Sequence, residues 1–93
     1  MLYPYATFPG NLIITCSQVM HDENDTTQEK ILVNFEQPDN DGNFKEARYE
    51  LPSHEEIFNE GFTPSETKRN LDILKNNEEL IVECAKREGQ EIA

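Results

Sequence analysis

The chain has no tryptophan, two cysteines, four glycines, and eight basic residues against nineteen acidic ones among its 93 positions. Each shortage argues against a class of function. The few bases (Lys68, Arg69, Lys75, Lys86 and Arg87 in the C-terminal third) are interleaved with acids and form no stripe, so direct binding of nucleic acid or of an anionic membrane is not expected. Cys16 and Cys84 lie far apart and make no CxxC pattern, which leaves no zinc or dithiol motif. Both sit among apolar residues; two buried free thiols are the expectation, and one disulfide is the alternative. With so few glycines there is no GxSxG elbow and no phosphate-cradling loop. The apolar run "NLIITC" (11–16) is too short for a signal sequence or a membrane span, and no basic segment precedes it. A cytoplasmic location is the expectation.

What is present is acid. The net charge is −11, and it is uneven. Residues 1–63 hold twelve Asp/Glu and three Lys/Arg, a net of −9; residues 64–93 hold seven acids and five bases, a net of −2. Such a surface repels polyanions and attracts basic protein surfaces, although acidity also serves solubility alone. The length suits one small domain spanning 1–93, and the 35% hydrophobic content is lean but patterned.

The pattern predicts an α+β fold, a three- to four-stranded antiparallel meander packed against a C-terminal helix with a short connecting helix. Strands are expected at about 5–8, 12–20, 30–37 and 43–51. Ile31, Val33 and Phe35 alternate with Leu32, Asn34 and Glu36, the period of a half-buried strand. A two-residue Asp41-Gly42 turn would set Phe35 against Arg48 and Val33 against Glu50. A three-residue loop, Asn40-Asp41-Gly42, sets Phe35 against Ala47, Val33 against Tyr49 and Ile31 against Leu51. One slip in register flips every side chain, so the second pairing is expected, with Gly42 in the left-handed third position. It places Glu36 against Glu46, with Arg48 diagonal to Glu36 as a partial offset. "SHEE" (53–56) reads as a capping box opening a helix over 54–60, and "TPSE" (63–66) repeats the device for a helix over 64–88. Asn76-Asn77, both mediocre helix formers, mark a place where that helix would kink or break.

Candidate chemistry is sparse. Placing Gly42 at the sixth position of a calcium loop puts Asp39 and Asp41 at ligand positions, but Gln37 falls at the first and Arg48 at the twelfth, where the bidentate acid belongs. "HEEIF" (54–58) fails the HExxH zinc pattern, because Phe58 holds the second histidine's place. His21 and His54 read as surface or capping-region residues. No catalytic residue, cofactor or metal is expected, and the chain is read as no enzyme. Tyr3, Tyr5 and Phe8 read as the apolar side of an edge strand, with a binding platform as the alternative.

The segments "YPYATF" (3–8), "VNFEQP" (33–38), "LPS" (51–53) and "GFTPSE" (61–66) together resemble a family of small bacterial proteins of Firmicutes and their mobile elements. "NLIITCSQVM" is more apolar than that family's first strand. No activity is assigned to the family, so the resemblance implies a bacterial, intracellular, mobile-element setting and no functional residue.

Two functions follow as expectations. The first is a small acidic protein that binds and inhibits a basic, nucleic-acid-binding effector by standing in for phosphates, as an anti-CRISPR or anti-restriction inhibitor would. Its candidate contacts are Asp22, Glu23, Asp25 and Glu29 on one loop and Glu36, Asp39, Asp41 and Glu46 on the hairpin. The second is an antitoxin-like or regulatory module that uses the wide apolar helix face (Leu71, Ile73, Leu74, Leu80, Ile81, Cys84, Ala85) to bind a partner or a second copy of itself.

Overall fold

The computed structural model describes residues 1–21, 24–25 and 27–89. The strands are β1 (Leu2–Phe8), β2 (Leu12–Ser17), β3 (Met20–His21), β4 (Glu29–Pro38), β5 (Phe44–Leu51) and β6 (Glu56–Glu60), followed by helices α1 (Pro64–Asn76) and α2 (Glu78–Gly89). The strands pair antiparallel in the order β1-β2-β4-β5-β6, and β3 pairs separately with β4. The class is α+β, with six strands and two C-terminal helices where fewer strands and one long helix were expected.

The β4–β5 hairpin has the three-residue loop. Phe35 pairs with Ala47, Val33 with Tyr49 and Ile31 with Leu51. Asp39 N–H donates to Asn43 O at 2.8 Å and closes the loop, and Gly42 takes φ +85°. The Asp39 carboxylate accepts from the backbone N–H groups of Asp41 (2.8 Å) and Asn43 (3.0 Å), so the side chain copies a backbone turn.

Two boundaries are corrected at β1 and β2. Strand β1 begins at Leu2 and not at residue 5, because an edge strand tolerates Pro4; a bulge between Pro4 and Ala6 absorbs the missing donor. Strand β2 stops at Ser17, whose hydroxyl accepts from Leu32 N–H at 3.0 Å in place of a strand partner.

The helix expected over 54–60 is a strand, β6, paired with β5. The Ser53 hydroxyl caps no helix. It donates to the Glu50 carboxylate at 2.8 Å and accepts from Glu55 N–H at 3.2 Å, holding a tight turn in which His54 takes φ +65°. A seven-residue helix gains little over its nucleation cost, whereas pairing β6 satisfies the exposed backbone edge of β5. The second capping box does form. Thr63 N–H donates to Glu66 Oε1 (2.9 Å) and Glu66 N–H to Thr63 Oγ1 (3.2 Å), with Pro64 opening α1.

The expected single helix breaks at Asn77. Its side-chain amide donates back to Ile73 O at 2.8 Å, while its Oδ1 accepts from the Tyr5 hydroxyl at 2.8 Å. The break is thereby tied to β1.

The core lies between the helices and one sheet face. Ile14, Cys16, Val33, Phe35, Ala47 and Tyr49 meet Leu74, Ile81, Cys84 and Ala85, all nearly inaccessible to solvent. Phe35 and Tyr49 meet edge to face at 5.3 Å, worth about 0.5–1.5 kcal/mol beyond the area they bury. Lys45 Nζ holds Glu66 at 2.6 Å and ties α1 to β5.

Candidate functional site

Because the helices cover one face only, the other face of the sheet is open. Alternation along each strand sends Ile13 and Thr15 of β2, Asn34 and Glu36 of β4, Glu46 and Arg48 of β5, and Phe58 and Glu60 of β6 outward. The registers line these residues up. Thr7, Ile13, Glu36, Glu46 and Glu60 are successive partners across all five paired strands. The next row runs Pro4, Thr15, Asn34, Arg48, Phe58.

The first row therefore carries three carboxylates on adjacent strands, the strands themselves about 4.8 Å apart. Like charges directly opposite destabilise a sheet. The offset here is slight. Asn34, only 1% exposed, donates one amide hydrogen to Glu36 Oε1 (3.0 Å) and the other to Glu46 Oε2 (3.2 Å). Arg48, expected as a partial offset diagonal to Glu36, makes no ion pair with either acid within 4.0 Å. Its Nε donates to Asn34 Oδ1 at 3.3 Å and its guanidinium lies over the Phe58 ring at 5.4 Å. Among the described residues, no ion pair within 4.0 Å is made by Glu36, Glu46 or Glu60.

The other expected contact residues divide. Asp39 serves its own loop, as above, and Asp41 stands exposed at the hairpin tip. Asp25 accepts from Thr27 N–H (3.0 Å) and from the Thr27 hydroxyl (2.5 Å); these bonds hold its carboxyl below the ordinary range. Glu29 pairs with His21 at 3.5 Å. Asp22 and Glu23 lie outside the described residues. Glu29 opens β4 and stands seven residues before Glu36, about 23 Å along the strand. Glu29 thus stands apart from the Glu36–Glu46 pair. The structure adds Glu60, which the sequence reading had placed in a helix.

The remaining titratable groups have local roles. His54 Nε2 meets Glu78 Oε1 at 2.6 Å and anchors the β5–β6 turn to α2. Cys16 and Cys84 are free and buried, and burial with the neighbouring Cys84 pushes the Cys16 thiol up to about 12. Burial also raises Tyr49, whose hydroxyl has no partner in good hydrogen-bond geometry among the described residues, although Asn70 and Glu56 lie close enough to influence it. Among the described residues no three His, Cys, Asp or Glu side chains converge on a metal-sized site, and no helix is long and apolar enough to cross a membrane.

Comparison of the chain with protein-family models, with curated proteins and with solved structures finds no match in any of the three. The likeness carried by the four short segments therefore adds no family assignment.

Proposed function

We propose that the chain is a non-enzymatic acidic interaction protein that binds and inhibits a basic, nucleic-acid-binding protein, in the manner of an anti-CRISPR or anti-restriction inhibitor. The observation that carries this reading is the row Glu36–Glu46–Glu60, aligned across three paired strands and making no ion pair within 4.0 Å among the described residues. Effectors that hold nucleic acid do so in positively charged channels, and carboxylates borne on successive strands about 4.8 Å apart offer such a channel a substitute for a phosphate run. A net charge of −11 speeds the encounter with a basic partner. A cytoplasmic, mobile-element setting belongs to the same reading.

The antitoxin-like alternative called on the apolar helix face. That face is largely spent on the core, where Leu74, Ile81, Cys84 and Ala85 are buried; Leu80, at 57% exposure, stands outside it. Tyr5 and Phe8 also pack against the core. These facts favour the acidic reading.

The test is a competition. The purified chain is titrated against a panel of basic nucleic-acid-binding effectors with and without their nucleic acid. Binding that excludes nucleic acid and weakens steeply as salt rises is expected. Salt-insensitive binding, or a ternary complex with nucleic acid still in place, contradicts the reading.

A further inference from the structure

We propose that the helix-free face of the sheet is a docking surface for an arginine-bearing protein surface, with Glu36, Glu46 and Glu60 as its anionic seats and Ile13 and Phe44 as apolar flanks. This rests on the acidic-interaction reading above and names the place and the chemistry of the contact.

Three observations carry it. The face is unpartnered but not uniformly polar. Ile13 is the cross-strand neighbour of Glu36 and is 37% exposed; Phe44 stands two residues before Glu46 on the same face of β5 at 61% exposure. An acid row that served solubility alone would have no need of apolar neighbours in reach of the same ligand. Second, among the described residues the acids make no ion pair within 4.0 Å although cations are near. Lys45, one residue from Glu46, points through the sheet to Glu66, and Arg48 stops at Asn34. Third, the face already shows how it holds a guanidinium. Arg48 sets its guanidinium 5.4 Å from the centre of the Phe58 ring and donates to the Asn34 side-chain oxygen, its cross-strand partner in the same row. An incoming arginine one row over would find two carboxylates in place of the amide, Glu36 and Glu46, to receive the planar fork; Glu60 holds the place of Phe58 there, and the ring to stack upon is Phe44, two residues before Glu46 on the same face.

Charge complementarity selects the occupant. A second copy of the chain would lay one acid row on another, and nucleic acid would bring phosphates to carboxylates. Lysine satisfies the charge but not the geometry, because its ammonium is a compact, strongly hydrated point that neither bridges two carboxylates in a plane nor stacks.

The test uses the full chain and two probes, nona-arginine and nona-lysine, with affinities measured by calorimetry at low and moderate salt. Two triple variants remove equal charge. E36Q/E46Q/E60Q alters the face, and D72N/E79Q/E83Q alters exposed positions of the helices. Glutamine keeps the oxygen acceptors that Asn34 uses, and circular dichroism confirms the fold of each variant. A third variant, F44S, changes only an exposed side chain and covers the case in which the face triple does not fold. The chain is expected to prefer the arginine probe. The face triple should weaken it by about tenfold or more and the helix triple by less than about twofold, while F44S should narrow the arginine preference. Equal losses for the two triples, or no preference for arginine, overturn this proposal and leave general attraction to bases intact. Failure of the unaltered chain to bind either probe overturns the acidic-interaction reading itself.

Discussion

Replacing Glu46 by glutamine should make the protein more stable, against the usual direction of a substitution in a sheet. Glu46 pairs with Glu36 on one side and with Glu60 on the other, so one change relieves two like-charge contacts. Both Glu36 and Glu46 are partly accessible, so the effective dielectric is high. Two unit charges about 6 Å apart at an effective dielectric of roughly 40–80 repel by about 0.7–1.4 kcal/mol. Cross-strand charge pairs measure at about 0.2–1 kcal/mol, and the shared Asn34 amide recovers part of the cost, so a net gain of about 0.5–1 kcal/mol is expected. For a domain of this size that is a rise of roughly 2–8 °C in Tm. Thermal unfolding by circular dichroism near neutral pH reads it directly. The screening length falls from about 30 Å at 0.01 M salt to about 3 Å at 1 M, so the gain should be largest in low salt and nearly vanish in high salt. Glu46→Ala should gain less, because Asn34 is almost fully buried and would lose one acceptor. If Glu46→Gln is destabilised in low salt, or gains equally at both salts, the acid row is not a strained like-charge array and the reasoning fails.

Tyr49→Phe removes a buried hydroxyl that has no hydrogen-bond partner among the described residues while keeping the edge-to-face contact with Phe35; stability should be unchanged or raised by about 1 kcal/mol, and a loss above that in denaturant melts would mean the hydroxyl is satisfied. The Glu66 carboxyl is held below its ordinary range, first by Lys45 and then by Thr63 N–H. A lowered folded-state pKa contributes stability that is complete above the unfolded value, near 4.5, and is lost as pH falls through the folded value, so the chain should lose more stability below about pH 4.5 than Glu66→Gln does. The Cys16 and Cys84 thiols should resist iodoacetamide near neutral pH in the folded chain and react once it is unfolded; fast native alkylation would contradict their burial.

The β4–β5 hairpin was legible because strand period and turn chemistry constrain the same register. Gly42 fixed the loop, and the inward set Ile31, Val33, Phe35 admitted one pairing. The Glu36–Glu46 contact, read from that register, is the part of the site the sequence disclosed. Strand β6 was not legible. "SHEE" satisfies the local rule for a helix start, and only the tertiary need of β5 for a partner overrides it; the signal against a helix was its short length and the Ile57-Phe58 pair, which suits a strand. Glu60 was lost with that misreading. The helix break at Asn77 was half visible, since the weak helix formers marked the place but the Tyr5 hydroxyl that fixes it comes from the far end of the chain. Asp39 illustrates a different limit: its role as a turn acceptor follows from its position before the loop, yet composition alone counted it among the free acids.

The most direct test of the account is a residue-resolved map of the bound surface. The labelled chain is titrated with nona-arginine and followed by backbone and side-chain amide chemical shifts. The account predicts shifts concentrated at Ile13, Asn34, Glu36, Glu46, Arg48 and Glu60, with the Asn34 side-chain amide among the largest and the outward positions of α1 and α2 unmoved. Shifts centred on the helices, or spread evenly over every exposed carboxylate, would contradict it.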